Sequence, residues 1–231
     1  MNIKIYNKLQ EMVKQSPVML TNPQSLKAVV SAVFGVEVPN KIEGGIIELT
    51  YIIDALIMEN YFAKVWQPKT KAYKYSGLSI IDEVNALQPE RVLDIGCGYN
   101  EFKGKINNLI GVDPYNDKAD VKSDITSFAL QADTPPDELF DVVISLGSIN
   151  FGSADKILLE LNHVINLTAP GGLLFFRVNP GKMHEAEAAK WIHFFEWTPE
   201  FITNMANVFE CILVTIKQDN GRLFFILKKR N

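Results

Sequence analysis

Three aspartates and two glycines carry the clearest chemical signal in this 231-residue chain. Asp94, Asp113 and Asp124 each stand at or just after the end of a short apolar run, and Gly96-Cys97-Gly98 follows the first of them. Glycines in such a turn let a ligand approach the backbone closely. A carboxylate 19 residues further on, at the end of the next strand, can accept hydrogen bonds from both hydroxyls of a ribose. Ser123-Asp124-Ile125 sets an acid beside an apolar side chain, a pair suited to the amino group and the flat face of an adenine. A dinucleotide would call for a third glycine where the chain has Glu101, and a carboxylate at a helix start repels a pyrophosphate. A ligand bearing a sulfonium and an ammonium instead of phosphates suits these acids better. Each acid also has a plainer reading. Asp94 can cap a turn, Asp113 can form an Asp-Pro turn with Pro114, and Asp124 can cap a helix starting near Thr126 and Ser127.

Polar candidates for work on a second substrate lie further along. Ser145-Leu146-Gly147-Ser148-Ile149-Asn150 opens from an apolar run into polar sequence, and Arg177-Val178-Asn179-Pro180-Gly181 does the same after the next one. Asn150, Arg177, Asn179 and His184 are the catalytic candidates, with His184 or His193 able to serve as a base near neutral pH. For the histidines the surface or half-buried structural reading is favoured. The segment from Gly181 to Trp197 is expected to form a lid or pocket wall, although Trp191, Phe194, Phe195 and Trp197 read first as packing. Tyr73 and Tyr75 precede the glycine turn by about twenty residues. They offer either a cation–π face to a sulfonium or plain core packing. Cys97 reads as a small loop residue, and the three histidines and two cysteines show no metal-ligand spacing, so no metal is expected.

The elements that must position these residues change rhythm near residues 67–78. Before that point the chain reads helical: Asn22-Pro23 starts a helix with Leu26, Val29, Val30 and Val33 on one face and Gly35 after it, and Ile46 to Met58 forms another, closed by Pro68. Residues 1–75 are expected to be a helical extension, either structural cover or a substrate lid, and 76–231 the main domain. There, short apolar runs alternate with helical patterns, the mark of an α/β domain with helices on both faces of a parallel sheet. Seven strands are expected: Val92 to Ile95, Leu109 to Asp113, Ala119 to Lys122, Asp141 to Ser145, Leu173 to Val178, Cys211 to Ile216 and Leu223 to Leu227. A short helix should follow the glycine turn, another should run from Ile157 to Ile165 and end at Ala169-Pro170-Gly171-Gly172, and Thr198 should cap a third. Asn220-Gly221 marks a tight hairpin, so the last strand should run antiparallel.

Composition narrows the functional classes. Twenty-seven acidic against 23 basic side chains give a net charge of −4, which supplies no global field toward nucleic acid or anionic lipid. The start lacks the basic cap and apolar core of an export signal, and Ile46 to Met58, cut by Glu48 and Asp54, is too short to cross a bilayer. Two cysteines make no disulfide framework. The sequence therefore reads as cytoplasmic and as acting on a small molecule.

VLDIGCG, IGVD, SDI, FDVVISLG and PGGLLFF, in that order over residues 76–231, resemble the class I S-adenosylmethionine-dependent methyltransferases. The resemblance implies a doubly wound, Rossmann-like seven-stranded sheet of order 3-2-1-4-5-7-6, with the cofactor at the carboxyl ends of the strands. It implies that Asp94, Gly96 and Gly98 face the methionine part of S-adenosylmethionine, Asp113 the ribose, Asp124 and Ile125 the adenine, and Leu146 or Gly147 the floor of the site, with Tyr75 closing over the methionine end. The chain departs from the family in having Asn100 for the usual third glycine and a shortened helix from Glu101 to Asn108. No Asn-Pro-Pro-aromatic pattern of base methylation follows the fourth strand. Those departures keep a non-catalytic binding module as the rival reading, and a nicotinamide oxidoreductase is disfavoured by Glu101.

Overall fold

The computed structural model describes residues 1–66, 76–131, 138–181 and 187–231, which form two compact units. The first unit is Met1–Lys69 with Met183–His193 and the second is Thr70–Lys182 with Phe194–Asn231.

The first unit is helical. Helix α1 (Ile3–Gln15) is capped by Asn2, whose side-chain oxygen accepts from the amides of Lys4 and Ile5. Helix α2 (Pro23–Phe34) starts as its sequence requires: Asn22 accepts from the amides of Gln24 and Ser25, Pro23 fills the first turn, and Gly35 ends it at φ +70°. Helix α3 spans Gly45–Asn60 and continues into a π-helical turn, Tyr61–Trp66. Pro68 lies outside the described residues. Ile5, Leu9 and Met12 of α1 and Leu49, Ile53 and Ile57 of α3 are buried. Asn2 ties them together from the chain start, its Nδ2 donating to Asp54 Oδ1 at 2.7 Å and to the carbonyl of Trp191 at 2.8 Å.

The second unit is a six-stranded sheet, β1 (Val92–Ile95), β2 (Leu109–Val112), β3 (Phe140–Leu146), β4 (Thr168–Val178), β5 (Cys211–Asp219) and β6 (Arg222–Lys229). Its order is β2-β1-β3-β4-β6-β5, with β6 antiparallel to both neighbours. This is the expected order with the expected third strand removed. Ala119 to Lys122 supplies only Val121 to bury among charged neighbours, and the segment makes a single parallel bridge from Val121 to Val112. Helices α4 (Ile81–Ala86), α5 (Ile125–Gln131), α6 (Ala154–Leu167) and α7 (Pro199–Val208) flank the sheet. On one face Leu93, Val143, Leu174, Phe176 and Phe225 pack with Leu161 and Val164 of α6 and Ile202 and Met205 of α7. On the other, Val92, Val142, Ile144, Phe175 and Phe224 meet Val84, Phe102 and Ile106.

Two local expectations change and one holds. No helix follows the glycine turn: residues 98–108 form successive turns. Gly98, Asn100, Gly104 and Asn108 all take positive φ, from +54° to +75°, and they interrupt the right-handed backbone so often that only isolated turns close, such as the one from the Ile106 amide to the carbonyl of Phe102 at 2.9 Å. Helix α6 does not run to Ala169-Pro170-Gly171-Gly172. It stops at Thr168, which is already extended and pairs with Phe140, and an irregularity separates that pair from Val142 and Leu173. The expected hairpin forms, with Asn220 at φ +50° and Gly221 at +75°, the signs a two-residue type I′ turn requires.

Candidate functional site

The carboxyl ends of β1, β2 and β3 bring the predicted acids and glycines together. Asp94 lies on β1 at 2% exposure, and its Oδ2 has no hydrogen-bond partner among the described residues. Burial and, after it, the charge of Asp113 push its carboxyl up to about 8. An acid in this condition is costly to ionise alone and is stabilised when a cation arrives. Gly96, at φ +66°, has no room for a side chain, because a Cβ would stand 2.2 Å from the Cβ of Ser148. The Ser148 hydroxyl bonds the carbonyl of Ile95 at 2.7 Å and contacts the Ser145 hydroxyl at 2.8 Å, so the glycine turn is wedged against the chain leaving β3.

Asp113, just past β2, is buried and already engaged. Its Oδ2 accepts from the amide of Gly98 at 3.0 Å, and its Oδ1 from the amides of Tyr115 at 2.8 Å and Asn116 at 2.9 Å. The Asp-Pro turn anticipated as the plainer reading is therefore present, and the same carboxylate pins the glycine turn. Asp124 likewise adopts its plainer role, capping α5 through the amide of Ser127 at 3.0 Å and its hydroxyl at 2.7 Å. Burial raises its carboxyl and these bonds outweigh it, leaving it below the ordinary value. Ile125 beside it is buried in the core.

Asn100 replaces the usual third glycine without losing its conformation, since asparagine tolerates φ +57°. Its Nδ2 donates to the carbonyl of Lys118 at 3.0 Å and to Asp120 Oδ2 at 3.3 Å. Asp120 also accepts from the amide of Gly111 at 2.8 Å and pairs with Lys103 at 2.7 Å. This polar clasp joins the turns after β1 to the turn after β2. Glu101 lies within these turns and does not stand at a helix start. Cys97 is buried among Asp94, Asp113 and Asp120, and burial first, then those charges, raises its thiol far above the reactive range.

The acceptor-side candidates separate. Asn150 is buried and structural in its contacts: its Oδ1 accepts from the amide of Asn179 at 2.8 Å and its carbonyl from the amide of Phe195 at 2.8 Å. Asn179 is held there with it. Arg177, half-buried at the end of β4, pairs through Nε with Asp219 at 2.5 Å. Leu146 ends β3, and Gly147 follows at φ +108°. Trp197 is core, its Nε1 bonded to the carbonyl of Ile149 at 3.1 Å, and Phe194 packs edge-on to Phe151. In the first unit Trp191 packs on Phe34. His193 is held below its ordinary value by burial and then by Lys4, against the pull of Asp54. Tyr73, Tyr75 and His184 lie outside the described residues. A groove of about 370 Å³ at the opposite, amino ends of the strands is lined by Gln88, Glu90, Asp141 and Gly171 among others, and none of the acids or glycines above reaches it.

Residues 71–215 match the family model of the methyltransferase domain. The chain belongs to the methyltransferase domain family. The fold of this methyltransferase is shared by solved structures at low identity. An O-methyltransferase family protein from Burkholderia thailandensis aligns with TM-score 0.55 at 10% identity, covering 75% of this chain and 60% of that one. The 1,6-didemethyltoxoflavin-N1-methyltransferase of the same organism, solved with bound 1,6-didemethyltoxoflavin and S-adenosylhomocysteine, aligns at 0.54 and 16% identity, covering 85% and 94%. Magnesium protoporphyrin IX methyltransferase from Synechocystis PCC 6803, with bound S-adenosylmethionine, aligns at 0.53 and 11%, covering 76% and 97%. Comparison with curated proteins gives no match. Among the described residues of this methyltransferase no helix is long and apolar enough to cross a membrane.

Sequence reasoning missed the Asn100–Asp120–Lys103 clasp and the contacts of Arg222, whose Nη1 lies 3.3 Å from where a Cβ would stand on Gly147. Asp120 gave a faint signal as the one acid in the failed third strand. Arg222 gave none, because its reach depends on the order in which β4 and β6 lie beside β3.

Proposed function

We propose that this chain is an S-adenosylmethionine-dependent methyltransferase acting on a small-molecule acceptor, with residues 1–75 a helical extension to the catalytic domain of 76–231. The observation that carries the reading is the buried Oδ2 of Asp94 beside the glycine turn, unpartnered among the described residues, an acid prepared for a cationic ligand. Asp94, Gly96 and Gly98 would receive the methionine part of the cofactor, Asp113 its ribose, and Asp124 with Ile125 its adenine. Leu146 or Gly147 would form the floor, and Tyr75 would close the methionine end. When bound, S-adenosylmethionine supplies a methyl group activated by its sulfonium, so that an acceptor lone pair forms the new bond while the carbon–sulfur pair returns to sulfur. The chain's own part is to hold the two partners in line and to exclude water. Asp113 keeps one of its four lone-pair positions open beyond the three amides that bond it. A ribose hydroxyl can use that position or replace the Gly98 amide.

The rival reading, a non-catalytic module, is favoured by one observation: the turns that replace the helix after the glycine loop remove the helix N-terminus from the site. One experiment separates the two. Asp113→Ala should weaken S-adenosylhomocysteine binding by roughly ten- to a hundredfold, the worth of one or two hydrogen bonds to a charged acceptor. Calorimetry is done on a variant shown to be folded by circular dichroism. Unchanged affinity removes Asp113 from the ribose, and no binding by the parent chain favours the non-catalytic module.

A further inference from the structure

The sheet carries opposite charges along its carboxyl edge. Asp94 pairs in register with Ile144, and Leu146, two residues on, pairs with Arg177, so Asp94 and Arg177 stand on the same face. Arg177 pairs in turn with Phe224, and Arg222 lies two residues before Phe224, opposite Asp219. Lys217, opposite Phe224, holds its ammonium 4.8 Å from that ring. The β1 and β2 end of the edge is therefore acidic, and the β4, β6 and β5 end brings three cations to one face with Asp219 as the acid paired among them. A chain with net charge −4 has concentrated positive charge where its sheet ends.

One of these cations, Arg222, turns toward the end of β3. The Arg177 guanidinium, with its side chain 11% exposed, reaches over β6 to Asp219 on β5. Arg222 reaches the other way, across the end of β4, to place Nη1 3.3 Å from the vacant side-chain position of Gly147. Asn150 Nδ2 stands 3.8 Å from the same point. Donors thus meet at a glycine whose φ of +108° keeps the position free of bulk. A guanidinium offers planar, paired donors that fit a carboxylate or phosphate.

From this juxtaposition we infer that the acceptor is a small molecule bearing a carboxylate or phosphate group, held by Arg222 beside Gly147, while the methyl group goes to a different atom of the same molecule. The inference rests on the methyl-transfer reading above. The anionic group takes no part in the bond change; it fixes the acceptor, whose nucleophilic atom gives up its proton, where it has one, to solvent. Arg222 is a positioning and specificity residue, and it lies at the opposite end of the edge from the acids assigned to the cofactor.

The test splits the small-molecule fraction of a cell extract on an anion exchanger at pH 8 and offers each half to the 231-residue chain with methyl-labelled S-adenosylmethionine. Label is expected in the retained half. Arg222→Gln should raise the amount of that half needed for half-maximal rate at least tenfold, Arg222→Lys should recover part of the loss, and both variants should bind S-adenosylhomocysteine within twofold of the parent. Label confined to the unretained half, an unchanged half-maximal amount, or loss of S-adenosylhomocysteine affinity in Arg222→Gln overturns the inference alone. No label in either half overturns the methyl-transfer reading together with it. A second measurement needs no turnover: malonate titrated against the arginine Nε resonances should give a saturable shift that Arg222→Gln abolishes, and a parent without that shift has no anion site here.

Discussion

Replacing Asp94 with asparagine should stabilise the ligand-free chain at alkaline pH and flatten its dependence on pH. The carboxyl is 2% exposed and one of its oxygens is unpartnered among the described residues, and its value is pushed from 3.8 up to about 8, chiefly by burial. In the unfolded chain the same group ionises near its ordinary value. Between about pH 4 and pH 8 the folded state therefore holds a proton that the unfolded state has released, and stability falls as pH rises through that window. Each pH unit of the span is worth about 1.4 kcal/mol, so the whole amounts to on the order of 5 kcal/mol. Asparagine keeps the shape and removes the charge, but its amide nitrogen inherits an unpartnered position that costs about 1–3 kcal/mol. The expected net gain at pH 9 is about 2–4 kcal/mol, and at pH 5 the variant should be equal to the parent or weaker. Urea denaturation of both chains from pH 5 to pH 9 measures this directly. Parallel profiles would refute the reasoning, because they would mean that Asp94 ionises in the folded chain as easily as in the unfolded one. The same acid should make S-adenosylmethionine binding release a proton near pH 7, visible as a buffer-dependent heat in calorimetry and absent in Asp94→Asn.

Three further outcomes follow from local geometry. Gly96→Ala combines a left-handed backbone with a Cβ 2.2 Å from Ser148 Cβ and should cost about 2–4 kcal/mol of stability. Adding Ser148→Gly should restore part of that, as read by chemical denaturation. Lys229 donates to the carbonyls of Ile165 at 2.8 Å and Thr168 at 2.7 Å, closing the end of α6; Lys229→Met should lower stability by about 1–3 kcal/mol, and an unchanged denaturation midpoint would show that solvent replaces those bonds at no cost. Asn220→Ala at φ +50° should cost about 1 kcal/mol through the strained turn, with Asn220→Gly close to neutral.

Much of this molecule is legible in its residues taken in order. The caps at Asn22 and Thr198, the Asn220-Gly221 turn and the apolar runs of six strands depend on neighbours a few positions away, and local sterics and hydrogen bonding suffice to specify them. The family motifs at Asp94, Gly96, Gly98 and Asp113 are equally local, since a strand end, a turn and an acid are contiguous in the chain. Other features rest on partners far apart in sequence. The expected third strand reduced to one bridge because Asp120 found Gly111, Asn100 and Lys103, a set that only the parallel pairing of β1 with β2 assembles. The helix after the glycine turn gave way to turns whose Phe102 and Ile106 are buried beneath the sheet. The duties of Asp113 and Arg177 likewise required the fold, because a carboxylate alone does not say whether it bonds Gly98 or a ligand, and an arginine does not name Asp219. Short-range sterics and propensity are written in consecutive residues; the placement of charge along the carboxyl edge is decided by strand order, which side-chain packing over the whole sheet selects.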